Sequence, residues 1–228
     1  MKKMKKKKKL SKREKEILLF LYKFRVSEIK TIQTAMRYKN YDNARKLLKR
    51  MYDHNYLIRY RLNIYEPYQY ALSYKGFLEM GNSSAQTYDF LSQEKYNHLL
   101  HSKLVSWIMR DNENLEIKDF ISQREKISSL SKLYAGFWAY KSPIFIDNKN
   151  DIAYDFMIAK EYNINGIIDK LDYIEENQRP RFFVIFFKYL KKSEMLEIQL
   201  NLNAKVSFIS FDYLKEDNDF SLQALRAI

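Results

Sequence analysis

The apolar positions of the N-terminal third recur at the spacing of amphipathic helices. A first helix is predicted after Ser11, an N-cap candidate, and a second helix after Ser27. A third helix is predicted over residues 43–54, where the apolar positions recur at i, i+3, i+4 and i+7: Ala44, Leu47, Leu48 and Met51. Residues 56–63 then read as a strand, 64–67 as a loop and 68–73 as the returning strand. Three helices followed by a hairpin are typical of a winged helix-turn-helix domain.

The pattern changes after residues 81–85, a polar and flexible segment that we interpret as a linker. A long helix is predicted over residues 87–110 and further helices over 122–135 and 221–228. Strands are predicted over residues 115–121, 144–147, 153–159, 181–190, 195–201 and 206–211. The predicted fold class is therefore α+β. The predicted organisation is a disordered basic arm (1–10), the winged helix-turn-helix (11–81) and a mixed α/β domain (87–228).

Charge separates the two predicted domains. The 228 residues contain 41 Lys+Arg and 28 Asp+Glu, a net charge of +13. Residues 1–81 hold 22 Lys+Arg and 7 Asp+Glu, a net charge of +15, which leaves −2 for the remainder. Seven of these lysines lie between Lys2 and Lys9. The first third therefore suits a polyanionic partner, while the rest has an ordinary globular surface.

Composition also excludes several classes of protein. With no cysteine, the chain has no disulfide, thiolate zinc site or cysteine nucleophile. The longest apolar runs, residues 17–22 and 182–187, are far shorter than the roughly 20 residues of a membrane span. The lysine block is followed by further charged residues, not by the apolar stretch of a signal peptide. We expect a cytoplasmic protein with no membrane partner.

The predicted third helix is the best candidate for reading DNA. A recognition helix delivers side chains to base edges, while flanking basic groups hold phosphates. The predicted DNA-binding residues on this helix and on the first hairpin strand are Asn43, Arg45, Lys46, Lys49, Arg50, Arg59 and Arg61. Winged domains also serve as protein-docking modules, but such a module gains little from this charge. RNA is a weaker alternative, because the clustered aromatic signature of single-strand RNA modules is missing.

The sequence offers few candidate residues for catalysis. His98 and His101 have the i, i+3 spacing of two ligands on one helix, but only Glu94 is a nearby third candidate. The four glycines form no phosphate-binding loop. Nucleases of the restriction-endonuclease fold hold Mg²⁺ between an acid on one strand and Asp/Glu-x-Lys on the next. Asp155 and Lys188 match part of this arrangement, but Phe186 occupies the position of the second carboxylate. We therefore predict no catalytic residues, no metal site and no cofactor.

The order of these features resembles a known family. The relevant segments are residues 10–18, the basic helix 43–54, the hairpin ending in Tyr70-Ala-Leu-Ser-Tyr-Lys-Gly76, and His101-Ser-Lys-Leu-Val105. They are similar to the replication-relaxation family of Gram-positive plasmids and related mobilisation accessory proteins, over roughly residues 10–189. The resemblance implies a winged helix joined to a nuclease-like domain. The family's Pro-Asp-Ala is Tyr154-Asp155-Phe156 here, so the second domain would be restriction-endonuclease-like but degenerate.

These observations lead to one functional expectation and two alternatives. The expectation is a non-enzymatic protein that binds specific double-stranded DNA and helps to assemble a replication or transfer complex, such as a relaxosome in conjugation, at a plasmid origin. Its second domain would serve for homodimerisation or for recruiting a relaxase or replication initiator. One alternative is a transcriptional repressor with a sensing second domain. The other alternative is a Mg²⁺-dependent endonuclease.

Overall fold

The computed structural model describes residues 9–83, 87–92, 95–122, 125, 144–147, 152–159, 181–189, 191–200 and 205–227. These residues form two compact units that divide between Phe90 and Leu91. Both helices and sheets are present, so the predicted α+β class is confirmed at that level. Within the described ranges, no helix combines the length and apolar character needed to cross a bilayer.

The first unit places four helices around a small antiparallel sheet of strand order β1-β3-β2. Its elements are α1 (Lys12–Phe24), β1 (Val26–Glu28), α2 (Ile29–Ala35), α3 (Tyr41–Asp53), β2 (Leu57–Tyr60), β3 (Gln69–Leu72) and α4 (Tyr74–Glu79). The three predicted helices and the β2–β3 hairpin are confirmed as elements. Strand β1 and helix α4 were not predicted, because elements of three and six residues are too short to show a period.

Polar side chains define where these helices begin. Ser11 and Glu14 form a capping box at the start of α1: the Glu14 backbone N–H donates to Ser11 Oγ at 3.3 Å, and the Ser11 backbone N–H donates to the Glu14 carboxylate at 2.8 Å. Helix α3 begins before the predicted residue 43, because Asn40 Oδ1 accepts from the Asp42 backbone N–H at 2.7 Å.

Burial in the first unit follows the helical stripes. On α3 the buried side chains are Ala44, Leu48 and Met51, spaced by four and three residues. They belong to a core that also takes Phe20 from α1 and Leu57 from β2. Because one stripe of α3 is committed to this core, its remaining faces are available to solvent.

The second unit contains a five-stranded sheet of order β4-β5-β6-β7-β8. Its elements are α5 (Lys95–Asp111), β4 (Phe120–Ile121), β5 (Ile144–Asp147), β6 (Ile152–Ala159), β7 (Arg181–Phe187), α6 (Lys192–Leu200), β8 (Lys205–Ser210) and α7 (Leu222–Ala227). Strands β4, β5 and β6 pair antiparallel, and β6, β7 and β8 pair parallel. Side chains 182–186 of β7 are all buried, as expected for a central strand covered on both faces.

A polar network joins the end of α5 to the segment before α7. Arg110 donates to the carbonyl oxygens of Glu216 and Asn218, and the Phe220 backbone N–H donates to Asp111 Oδ2 at 2.8 Å. The indole of Trp107 stacks on the Phe220 ring with centroids 4.9 Å apart. This network fixes the C-terminal segment against α5.

In the second unit, one strand prediction was wrong and another was confirmed only in part. Residues 195–201 were expected to be a strand, but they lie mainly in α6, where the buried residues Glu194 and Ile198 are four positions apart rather than two. Residues 115–121 form a strand only over Phe120–Ile121, because a 3₁₀ turn precedes it, closed by the Glu116 backbone N–H donating to Asp119 Oδ2 at 2.7 Å. The predicted helix 122–135 lies almost wholly outside the described residues.

Candidate nucleic-acid interface

Helix α3 presents its basic residues on the faces that its core stripe leaves exposed. Asn43, Arg45, Lys46 and Lys49 are all exposed. Within the described part of the chain, neither Arg45 nor Lys46 forms an ion pair or a hydrogen bond. Lys49 donates to the Asp53 carboxylate at 2.8 Å, but both side chains are largely exposed, so this pair is weak and easily exchanged. Arg45 and Lys46 are thus the most available cations of the helix.

Arg50, predicted as a DNA-binding residue, lies against Glu14 of α1. Its Nη2 and Nε donate to Glu14 Oε1 at 2.9 and 3.2 Å, while Glu14 Oε2 accepts from Ser11. Burial raises the pKa of Glu14, but the hydrogen bonds from Ser11 and the charge of Arg50 outweigh burial, so this pKa is lowered overall. The guanidinium therefore ties α3 to the start of α1.

Arg59, on β2, lies among tyrosine rings. Its guanidinium carbon lies 4.2 Å from the ring centroid of Tyr52 on α3 and 4.6 Å from that of Tyr68. Burial lowers the pKa of Arg59, but the neighbouring Tyr68 and a hydrogen bond with the buried Tyr70 outweigh it, so this pKa is raised. Arg59 consequently connects α3 to the hairpin, and much of its charge is already engaged by aromatic faces.

Arg61, at the base of the hairpin loop, is partly engaged. Its guanidinium carbon lies 4.5 Å from the ring centroid of Tyr68, and its Nη1 donates to the Ile64 carbonyl at 3.3 Å. Both arginines of the hairpin therefore share the Tyr68 ring.

The sequence prediction missed the tyrosines that organise this surface. Tyr52 follows Arg45 by seven residues and Lys49 by three, so these three positions share one face of α3. Spacing alone could have revealed this helical stripe. The pairing of its tyrosine with Arg59 depends on the tertiary fold. Another unpredicted contact is made by Lys75, whose ammonium lies 3.9 Å from the ring centroid of Tyr56 and donates to the His54 carbonyl at 2.8 Å.

The nuclease-like pattern of the second unit does not assemble on one face of the sheet. In the parallel β6–β7 pair, Asp155 is in register with Phe183, and Phe186 is in register with Ile158. Because successive positions alternate between sheet faces, the position of Asp155 belongs to the face of Phe183, and that of Phe186 to the opposite face. Phe186 is fully buried, so its neutral side chain belongs to the core.

The remaining basic and metal-ligand candidates that the structure describes are Lys188, His98 and His101, while Glu94 lies outside the described residues. Lys188 is exposed beside the Tyr189 ring, and a hydrogen bond with the Tyr189 side chain raises the pKa of Lys188. His98 and His101 are buried on α5, and the described residues contain no cluster of three or more His, Asp or Glu able to hold a metal. The lysine arm before Lys9 and the end of the predicted linker lie outside the described residues.

Comparison with known proteins gives no assignment. No family model, curated protein or solved structure matches this chain. The resemblance to the replication-relaxation family therefore stays a prediction, and the interface rests on the geometry of the first unit.

Proposed function

We propose that this chain binds double-stranded DNA through its first unit, with α2 and α3 as a helix-turn-helix and the β2–β3 hairpin as the wing. The observation that carries the proposal is that Arg45 and Lys46 on α3 are exposed and pair with no residue that the structure describes. Surface cations without acidic partners do not stabilise the folded protein. They do attract a polyanion.

The dimensions of α3 support the same proposal. Thirteen residues give a helix about 20 Å long, and a helix of this kind enters the major groove, which is about 12 Å wide. Its apolar stripe is buried in the unit, which leaves the basic face outward. Arg45 and Lys46 lie near its N-terminal end, the part of a recognition helix that approaches base edges.

Different basic residues then have different roles. Arg45 and Lys46 contact bases, with Asn43 beside them, and Lys49 exchanges Asp53 for a phosphate. Arg61 supports the wing and reaches backbone phosphates from its base. Arg50 and Arg59 position the helix and the wing through Glu14 and the tyrosines. The basic arm adds sequence-independent affinity, because flexible lysines find phosphates without reading bases.

The biological setting that we propose comes from the resemblance described above. The protein would be an accessory factor of a plasmid or another mobile element, acting at an origin of replication or transfer. Its second unit would bind a relaxase, an initiator or a second copy of the chain. A repressor would use the same first unit, and the position of the bound site, in an origin or over a promoter, separates the two roles.

The test starts by selecting duplexes from a random pool with the full-length protein. Affinity for the selected duplex is then measured for Arg45→Ala and Lys46→Ala across a range of salt concentrations. Loss of a base contact costs about 1–3 kcal/mol, so we expect about a 5- to 140-fold weaker Kd at the selected site. Affinity for unrelated duplexes should fall much less.

The matched control is Lys192→Ala, which removes an exposed lysine at the start of α6 that has no partner among the described residues of the second unit. It should leave the Kd unchanged. If Arg45→Ala and Lys46→Ala bind the selected duplex as tightly as the unsubstituted protein, α3 is not the reading element. If no duplex is enriched and none binds above background, the proposed function is wrong.

A further inference from the structure

The tip of the β2–β3 hairpin is unusually apolar for such an exposed place. Leu62 is 62% exposed, Ile64 70% and Tyr65 91%. An isolated exposed apolar residue is ordinary, but three within four positions of one loop in a strongly basic unit call for a physical reason.

The tip is held in one shape by its own hydrogen bonds. Asn63 Oδ1 accepts from the backbone N–H of Tyr65 at 2.9 Å and of Glu66 at 3.1 Å, and Asn63 Nδ2 donates to the Glu66 carboxylate at 3.2 Å. Arg61 adds its bond to the Ile64 carbonyl from the base of the loop. The acidic Glu66 is therefore occupied in closing the turn, and the apolar side chains project from an ordered support.

The size and surroundings of the tip identify the partner. A stable protein interface buries about 800 Å² on each side, much more than three side chains at the end of a narrow hairpin can offer. Neighbouring base pairs, in contrast, are partly unstacked by one or two apolar side chains inserted between them from the minor groove. Arg61 at the base of the hairpin supplies positive charge that a phosphate-lined groove attracts.

We propose that Ile64 and Tyr65 insert as an apolar wedge between neighbouring base pairs in the minor groove and kink the DNA. This proposal rests on the proposed function, since the wedge acts only when α3 has docked. Insertion kinks a duplex by about 20–90°, and it is least costly at the flexible TA and CA/TG steps. The wing therefore contributes preference for a deformable step as well as affinity.

The experiment measures DNA bending by the full-length protein. The probe is the duplex selected from the random pool, labelled with a donor and an acceptor fluorophore at its two ends. Binding should bring the ends closer and raise the energy transfer. With Ile64→Ser/Tyr65→Ser, the complex should still form, with Kd weakened by about 5-fold or more, but energy transfer should match that of the free duplex.

Two further variants make the result specific. Tyr74→Ser/Leu78→Ser removes an exposed tyrosine and an exposed aliphatic residue from α4 of the same unit, and it should bend DNA as the unsubstituted protein does. Tyr65→Phe keeps the apolar ring and should retain the bend. Far-UV circular dichroism and thermal unfolding show that each variant is folded.

Each outcome separates the wedge from the proposed function. Binding without bending, or equal bending by the tip variant, overturns the wedge and leaves DNA binding standing. A tip variant that changes only the oligomeric state shows that the tip contacts a second copy, and this also overturns the wedge. If the unsubstituted protein binds no duplex, both proposals are wrong.

Discussion

The contact between Arg50 and Glu14 predicts that Arg50 stabilises the first unit more than it contributes to reading DNA. The perturbations are Arg50→Met, which keeps the aliphatic stem, and Glu14→Gln, which keeps the shape of the side chain but removes its charge. In the folded protein the two groups are joined by two hydrogen bonds to one carboxylate oxygen. The double variant completes a cycle that isolates the energy of their interaction.

The expected coupling energy between Arg50 and Glu14 depends on how far each side chain is exposed to solvent. Hydrogen bonds to charged groups contribute about 1.5–3 kcal/mol where they are buried. The Glu14 side chain is only 10% exposed, but that of Arg50 is 45% exposed, so solvent screening reduces the coupling. We expect a coupling energy of about 1 kcal/mol and a loss of about 1–2 kcal/mol for each single variant. For a unit of this size, each 1 kcal/mol lowers Tm by about 4–8 °C.

The assay is denaturant unfolding of the full-length protein, combined with binding to the selected duplex. Trp107 and Trp138 both lie after residue 90, so tryptophan fluorescence reports the second unit. Far-UV circular dichroism reports both units, and the transition absent from the fluorescence belongs to the first. The reasoning is refuted if the stability losses of the two single variants simply sum in the double variant and Arg50→Met weakens specific binding as strongly as Arg45→Met.

Two further predictions concern the first unit. Gly76→Ala should destabilise it by about 1–3 kcal/mol, because the added methyl group would collide with the Tyr56 carbonyl oxygen. Gly81→Ala, which strains a positive φ of 76° in open space, should cost less when both are compared by thermal unfolding. Acid should also weaken the unit. The pKa of Glu14 lies below its ordinary 4.5 in the folded state, so its stabilisation is complete above 4.5 and is lost as pH falls through the lowered pKa. As pH is lowered, the unfolding free energy should fall less steeply for Glu14→Gln than for the unsubstituted protein. An equal fall in both proteins would contradict this prediction.

Local patterns predicted most of the first unit, because its elements carry their own signals. Ser11 caps α1 as expected, and the apolar stripe of α3 lies in the core. In the second unit, the apolar pattern of residues 195–201 predicted a strand where most of the segment is helical. Met, Leu and Ile are spaced there so that both a strand and a helix fit, and the choice depends on which positions the neighbouring elements bury. Short elements such as β1 exist only through pairing with β3, a partner more than 40 residues away.

The candidate interface shows a different limit of sequence reasoning. Charge and helical spacing correctly placed Arg45 and Lys46 at the surface, since exposure follows from the apolar stripe. Spacing could not distinguish Arg50 from these residues, because its partner Glu14 is 36 positions away in the chain. The alternation of side chains along β2 likewise could not predict that both hairpin arginines contact the ring of Tyr68.

The tyrosines explain how one small unit can hold a helix and a hairpin in a fixed relation. Arg59 lies against Tyr52 of α3 and Tyr68 of the hairpin, and each cation–π contact contributes about 0.5–2 kcal/mol according to its burial. A flexible hairpin would lose much of its binding energy to ordering when it met a groove. An arginine held between two rings has already lost its conformational entropy in the folded protein, so less entropy is lost on binding. Arg59 therefore gives the hairpin a rigid base beside α3. In the proposed complex, this base would hold the apolar tip at a set distance from the proposed recognition helix.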